Sequence, residues 1–236
     1  MIKNIKGRLI ERIKRTQDVE SFRFSTQERI DFLPGQFLQT IFNEENLADK
    51  ELNKYLSFSS SPAKDYIEVT KRMSQSRFSQ KLNSLKSGVE VLFKSPLGNC
   101  IFKDEYKKIA FLIGGIGITP VISIIEYIVD KKINTDVIVL YSNKTEDIAF
   151  REELDYWQST CSNIKVIYAV TECRPKDVNC IAGSITKDLL LKVIDDWRQR
   201  VFFIFGPPNM IGAMNNLCSE AGCDRELVKV ETFTGY

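Results

Sequence analysis

The hydrophobic pattern of the chain changes its period near the middle. In the first half, Arg8 to Lys14 and Val19 to Phe24 alternate apolar and polar positions, with Phe22 and Phe24 on one side of the second run. A period of two predicts strands with one buried face. Pro34-Gly35 marks a turn before another apolar run, Gln36 to Phe42, and Tyr66 to Arg72 and Val89 to Lys94 read as further strands. Between these last two, Phe78, Leu82 and Leu85 follow a helical spacing. Short strands at close intervals, punctuated by Pro and Gly, predict a small antiparallel β-barrel.

The second half alternates strand and helix. Strands are predicted at Ile109 to Ile113, Val137 to Tyr141, Ile164 to Val170, Val201 to Phe205 and Leu227 to Val230. Helices are predicted at Thr119 to Val129, Ala149 to Gln158, Thr186 to Val193 and Pro207 to Leu217. This order implies an α/β domain with a parallel sheet and helices on both faces. The polar stretch Lys103-Asp-Glu-Tyr-Lys-Lys108 separates the two patterns. The expected division is therefore a β-barrel domain over residues 1–103 and an α/β domain over 104–236.

Composition narrows the chemistry. Histidine is absent from the 236 residues, which excludes Ser-His-Asp and Cys-His mechanisms and His-ligated metal. Any reaction then needs other groups, or a cofactor that carries the reactivity itself. The formal net charge of +2 gives no electrostatic case for nucleic acid or a membrane surface. Cys100, Cys161, Cys173, Cys180, Cys218 and Cys223 are scattered without a C-x-x-C pair. Cys218 and Cys223 have the first spacing of a plant-type iron–sulfur run, but no close pair follows, so no metal site is expected. The thiols read as reduced packing residues in the cytoplasm. The N-terminus lacks a signal peptide, and Gly114, Gly115, Gly117, Thr119, Pro120 and Glu126 break up the apolar stretch Ile109 to Val129 that otherwise resembles a membrane span.

Two turns carry candidate chemistry in the second half. Gly114-Gly-Ile-Gly-Ile-Thr-Pro120 follows an apolar strand and opens a helix. Glycines there let backbone N–H groups approach a pyrophosphate, with Thr119 suited to the N-cap and Pro120 to the first helical position. Pro120 replaces the last glycine of the dinucleotide pattern, and a plain strand-to-helix turn is the competing account. Gly206-Pro207-Pro208 follows the strand Val201 to Phe205, where a glycine leaves room for a flat ring at a strand's carboxyl end, although standing alone the motif reads better as a helix start made by proline. Tyr127 and Lys131 form Y-x-x-x-K by chance, too near the glycine turn to be a dehydrogenase pair. In the first half, Lys54-Tyr-Leu-Ser-Phe-Ser-Ser-Ser-Pro62 clusters hydroxyls that could bond the polar edge of a heterocycle, against the plainer reading of a polar edge strand. Thr70-Lys-Arg72 and Arg77-Phe-Ser79 supply cations and a hydroxyl suited to a phosphate, against the plainer reading of a solvated basic loop.

Taken in order, Pro34-Gly-Gln-Phe37, Lys54-Tyr-Leu-Ser57, Thr70-Lys-Arg72, Arg77-Phe-Ser79, Pro96-Leu-Gly98, the Gly114 turn, Gly206-Pro-Pro208 and Glu231-Thr-Phe-Thr-Gly-Tyr236 resemble the ferredoxin–NADP reductase family. The resemblance implies FAD on the barrel and NADH or NADPH on the α/β domain. It implies that Lys54, Tyr55, Leu56, Ser57, Thr70, Lys71, Arg72, Phe78 and Ser79 hold the flavin. Gly114, Gly115, Gly117, Ile118, Thr119, Pro120, Ser142, Thr171, Glu172, Gly206 and Pro207 would line the nicotinamide nucleotide. Ser57, Glu231 and Tyr236 would stand at the reacting rings. The chain departs from the family pattern at Lys54 (family Arg), Leu56 (family Tyr), Ser76 (family Gly) and Phe205 (family Cys). Thr171-Glu172 stands where NADPH users have Ser/Thr-Arg, which favours NADH, although Arg174 and Lys176 lie nearby.

The implied activity is hydride transfer from NAD(P)H to FAD and on to a separate acceptor, such as ferredoxin, flavodoxin or an oxygenase component. A pyrimidine-synthesis electron-transfer subunit shares the plan but needs a compact Cys cluster that this chain lacks. The rival is a non-catalytic flavin or nucleotide sensor or assembly subunit on the same fold. A nucleotide-only enzyme leaves the first half without a role.

Overall fold

The computed structural model describes residues 2–177 and 180–233. Contacts divide it into two units: the chain up to Phe102 together with Thr119–Lys131, and Lys103–Ile118 together with the chain from Lys132 onward.

The first unit is an antiparallel sheet of six strands: β1 (Lys3–Lys14), β2 (Val19–Thr26), β3 (Phe37–Ile41), β4 (Asn53–Ser57), β5 (Tyr66–Arg72) and β6 (Glu90–Leu97). Their order is β4-β3-β6-β1-β2-β5. The sheet closes on itself just past β4, where Phe58 bridges Val69 and Ser59 N–H donates to Glu68 O at 2.8 Å. Leu9, Phe22, Phe24, Leu38, Phe58, Val69 and Phe93 fill the interior, as the period of two requires. Helix α1 (Arg77–Asn83) adds Phe78 and Leu82 to that core, and Ser76 caps it by accepting from Ser79 N–H. β1 starts before the predicted Arg8 because Lys3 to Gly7 pair with β6, and a bulge between Leu9 and Glu11 turns Ile10 out to solvent.

The outer face of β5 carries a second, polar layer. Glu68 is 2% exposed and pairs with Arg15 at 3.2 Å and Arg23 at 2.8 Å. Thr70 joins Ser21 at 2.6 Å and Ser59 at 2.7 Å, and Ser59 Oγ donates to Glu68 at 3.0 Å. Ser60 Oγ accepts from Glu68 N–H, and Ser61 N–H donates to Glu126 Oε2 at 2.6 Å. Glu126 lies on α2 (Ile118–Lys131), whose Ser123 hydroxyl donates to Ser60 O. Burial drives the Glu126 carboxyl upward in pKa, opposed by the Ser61 N–H and Lys64.

The second unit is a wholly parallel sheet of β7 (Lys108–Gly114), β8 (Asp136–Asn143), β9 (Ile164–Val170), β10 (Cys180–Ala182), β11 (Val201–Gly206) and β12 (Val228–Thr232). The order is β10-β9-β8-β7-β11-β12. One face, with Leu112, Leu140, Ala169 and Ile204, packs on α4 (Lys187–Val193) and α5 (Pro208–Ala221). On the other face Tyr168 hydrogen-bonds Asp155 and lies under Arg151, both on α3 (Arg151–Thr160). Each face is therefore covered, which explains why β7 and β11 read as unbroken apolar runs. The three-residue β10 carries too little pattern to be read from sequence. Among the described residues, no helix is long and apolar enough to cross a membrane.

One helix start differs from expectation. Thr119 does not cap α2, and Pro120 is not its first residue. A 3-10 turn over Gly115–Gly117 precedes α2, which begins at Ile118. Gly115 has φ +52°, so the chain turns as soon as it leaves β7 and reaches helical curvature earlier than the proline suggests. Pro120 still falls in the first turn, where a missing N–H breaks no helical bond.

Candidate functional site

In the second unit the strand order reverses at β7, which lies between β8 and β11. The carboxyl ends of parallel strands at such a reversal leave a crevice for a ligand. Gly114 ends β7 there, opposite Ser142 at the end of β8. Tyr141 Oη donates to Gly115 O at 3.0 Å and pins the turn. Gly117 has a separate, steric reason. A Cβ at that position would lie 2.4 Å from Phe205 O, a backbone atom that cannot give way. Gly117→Ala is expected to cost about 1–3 kcal/mol through overpacking; the shift of the urea unfolding midpoint measures it.

The loops beyond β8 and β9 are tied together. Thr171 N–H donates to Asn143 O at 3.0 Å and Glu172 N–H to Lys144 O at 2.8 Å. Lys144 Nζ and Glu172 Oε1 form an exposed ion pair at 2.8 Å. Ser142, Thr171 and Glu172 thus gather at one edge of the turn. Asn143, which sequence reasoning passes over, has a buried Nδ2 with no hydrogen-bond partner. Its only sequence signal is a polar residue just past an apolar strand.

Glu231 on β12 faces Phe205 of β11 in register. It is half-buried, and burial raises its carboxyl to about 7. Between the ordinary value of 4.5 and about 7 the folded chain holds this proton more tightly than the unfolded chain does. Stability from this group therefore falls as pH rises through that window. Glu231→Gln is expected to flatten that slope, read from urea unfolding at about pH 5 and about pH 8. Phe205 is fully buried, in a stacked row with Phe203 and Phe233, and Gly206 O accepts from Phe233 N–H at 3.2 Å. Pro207 is extended and precedes Pro208, the first residue of α5. Tyr236 lies outside the described residues.

In the first unit, β4 pairs with β3 so that Leu56 faces Leu38, Ser57 faces Phe37 and Tyr55 faces Gln39. Leu56 packs on the barrel core. Tyr55 and Ser57 share the opposite face of the strand. Tyr55 is 63% exposed with its ring edge-on to Phe37, whereas Ser57 is buried. Lys71 is buried; burial lowers its pKa, and Lys54 and Arg72 lower it further. Arg72 Nε lies 3.3 Å from Asp18 but makes no hydrogen bond. Three cations therefore converge on the end of β5. A buried lysine crowded by like charge is a place where an anion relieves strain. Ser79 is buried beside Ser74 and Ser76, at 3.2 and 3.0 Å between hydroxyls. The Phe78 side chain belongs to the core, and the Thr70 hydroxyl to the polar layer. Ser59, Ser60 and Ser61 likewise bond the protein's own groups, so the hydroxyl cluster read from sequence is in large part structural.

Residues 6–102 match the oxidoreductase FAD-binding domain, and residues 111–216 match the oxidoreductase NAD-binding domain. The chain is 32% identical over 230 residues to nitrate reductase [NADH] 1 of Arabidopsis thaliana, covering 86% of this chain and 25% of that protein. It is 29% identical over 236 residues to the glycine betaine monooxygenase reductase subunit of Pseudomonas aeruginosa, covering 96% and 63%. The chain thus spans less than two thirds of the length of these relatives. A ferredoxin NADP+ reductase from Neisseria gonorrhoeae, solved with bound FAD and NADP, superposes with a TM-score of 0.79 at 17% identity, covering 99% of each chain. That last likeness carries the fold.

Proposed function

The chain belongs to the ferredoxin–NADP reductase family of FAD-dependent NAD(P)H oxidoreductases, and we propose that it carries electrons from NADH to a separate electron-carrier protein or oxygenase component. The observation that bears most weight is the pairing of a cation cluster at the end of β5 with a glycine turn at the strand-order reversal. Both suit a diphosphate, one in each unit. Bound FAD would supply the hydride-accepting chemistry and the release of electrons to the acceptor.

The residues present fit that cofactor. Lys54, Lys71 and Arg72 would hold its diphosphate, with Ser79 as a further donor. Lysine at position 54 gives charge without the bidentate geometry of arginine. Ser57 would hold the polar edge of the ring. Leu56 packs inward and offers no aromatic face, and Tyr55 is the exposed ring on the same side as Ser57. Gly114, Gly115 and Gly117, with Ile118, Thr119 and Pro120, would cradle the nucleotide diphosphate at the start of α2. Glu231, its carboxyl raised by burial to about 7, would hold or release a proton beside the nicotinamide, where Gly206 and Pro207 leave room for a ring.

Glu172 supports NADH, because a carboxylate repels a 2′-phosphate and accepts from a ribose hydroxyl. Relatives that carry NADH in their names include the plant nitrate reductase and a cytochrome b5 reductase of Mycosarcoma maydis. The oxygenase partner is favoured by the reductase-subunit relative. Six free thiols suit the cytoplasm.

An anaerobic absorbance titration tests the reading. Protein reconstituted with FAD is expected to bleach with NADH, and more slowly with NADPH. A flavin band that neither nucleotide moves would favour a binding module, and no flavin uptake would overturn the assignment of the barrel.

A further inference from the structure

The last turn of α5 holds two thiols that the proposed hydride chemistry does not use. Cys223 N–H donates to Cys218 O at 2.9 Å, and Gly222 N–H to Ser219 O at 3.1 Å, with Gly222 left-handed at φ 78°. These two bonds make a Schellman termination, a geometry that brings the side chains at the ends of the longer bond into contact. Aliphatic groups commonly fill both places. Here both are cysteines, and both side chains are buried in the same core cluster. Neither is in a disulfide. Both are buried, Cys218 at 1% exposed and Cys223 at 9%, so Cys223 is the nearer to solvent. Arg198 acts on Cys223 from the 3-10 turn Trp197–Gln199, and Trp197 Nε1 fastens that turn to α5 by donating to Ala221 O at 2.9 Å.

We propose that Cys218 and Cys223 are a dithiol that hydrogen peroxide closes to an intramolecular disulfide, with Cys223 as the attacking sulfur. Cys223, having released its proton, attacks one peroxide oxygen. The O–O bond breaks, and the departing oxygen leaves as water after taking up a proton. The Cys223 sulfenic acid is then attacked by Cys218 Sγ. The S–O bond breaks, and the second oxygen leaves as water with the Cys218 proton. Two thiols and one peroxide give one disulfide and two waters, and two electrons pass from sulfur to oxygen. Arg198 favours the Cys223 thiolate, and contact with Cys218 supplies the resolving thiol at once. The pair stands independently of which flavin or nucleotide the protein binds.

The test uses the whole reduced chain and one equivalent of hydrogen peroxide, followed by catalase, denaturation and alkylation. Both cysteines fall in a single tryptic peptide, from Val201 to Arg225. That peptide is expected to lose two hydrogens and both alkylation sites, while Cys161 and Cys173 remain alkylated. In Cys218→Ser, dimedone is expected to label Cys223. If the wild-type peptide stays fully alkylated while other cysteines oxidise, the two thiols only fill the helix end and the proposal fails. Dimedone labelling of neither residue in a folded Cys218→Ser variant would also overturn it.

Discussion

Glu68→Leu is expected to destabilise the protein by about 3–5 kcal/mol and to lower its thermal midpoint by roughly 6–20 °C. The carboxylate is 2% exposed, and Arg15, its partner, is 9% exposed. Removing one member leaves a buried guanidinium without its counter-charge, and the Ser59 hydroxyl loses its acceptor. Replacing the pair together, as Arg15→Met with Glu68→Leu, is expected to recover a large part of the loss, because an apolar pair removes both desolvation penalties. Urea unfolding of the four chains gives the coupling directly. The exposed pair Arg77–Glu51 is the control, and its loss is expected to stay within about 1 kcal/mol. A small effect at Glu68 would show that water reaches the polar layer.

The second large effect concerns the cations. Lys54→Met with Arg72→Met is expected to weaken FAD binding by roughly 10²–10⁴-fold, since each hydrogen bond to a charged group contributes about 1.5–3 kcal/mol. Fluorescence quenching of flavin by the apoprotein measures it. Folding is a separate readout, because the Arg72–Asp18 pair is exposed and its loss is expected to change stability by less than about 1 kcal/mol. A folded double variant that binds FAD as tightly as the parent would remove these residues from the site. The same variant relieves Lys71 of two like charges, so its depressed pKa is expected to rise.

Much of the fold was legible because each unit obeys a simple period. Ile164–Val170 and Tyr66–Arg72 coincide with their predicted strands, and Thr186 caps α4 through its hydroxyl where the helix was expected to start. The glycine turn was legible because strand, turn and helix chemistry agree there. Its interior was not: Thr119 looked like a cap, but the positive φ of Gly115 decides where α2 starts. Nor could Ser59, Ser60 and Ser61 be sorted from Ser57. All are serines in one run, and only the closure of β4 onto β5 turns the later three toward Glu68, Glu126 and their own backbone.

By itself, then, the sequence determined the two architectures, the glycine turn and the family, because periodicity and turn chemistry are local and written residue by residue. The tertiary structure decided the rest. It placed β7 at the reversal of strand order, brought Lys54 of β4 to Lys71 and Arg72 of β5, buried Glu68 between two arginines and lifted the Glu231 carboxyl by desolvation. Each of these depends on how close distant residues come and how much water is excluded between them. Such distances arise only when strands pair and helices close, so no local pattern encodes them.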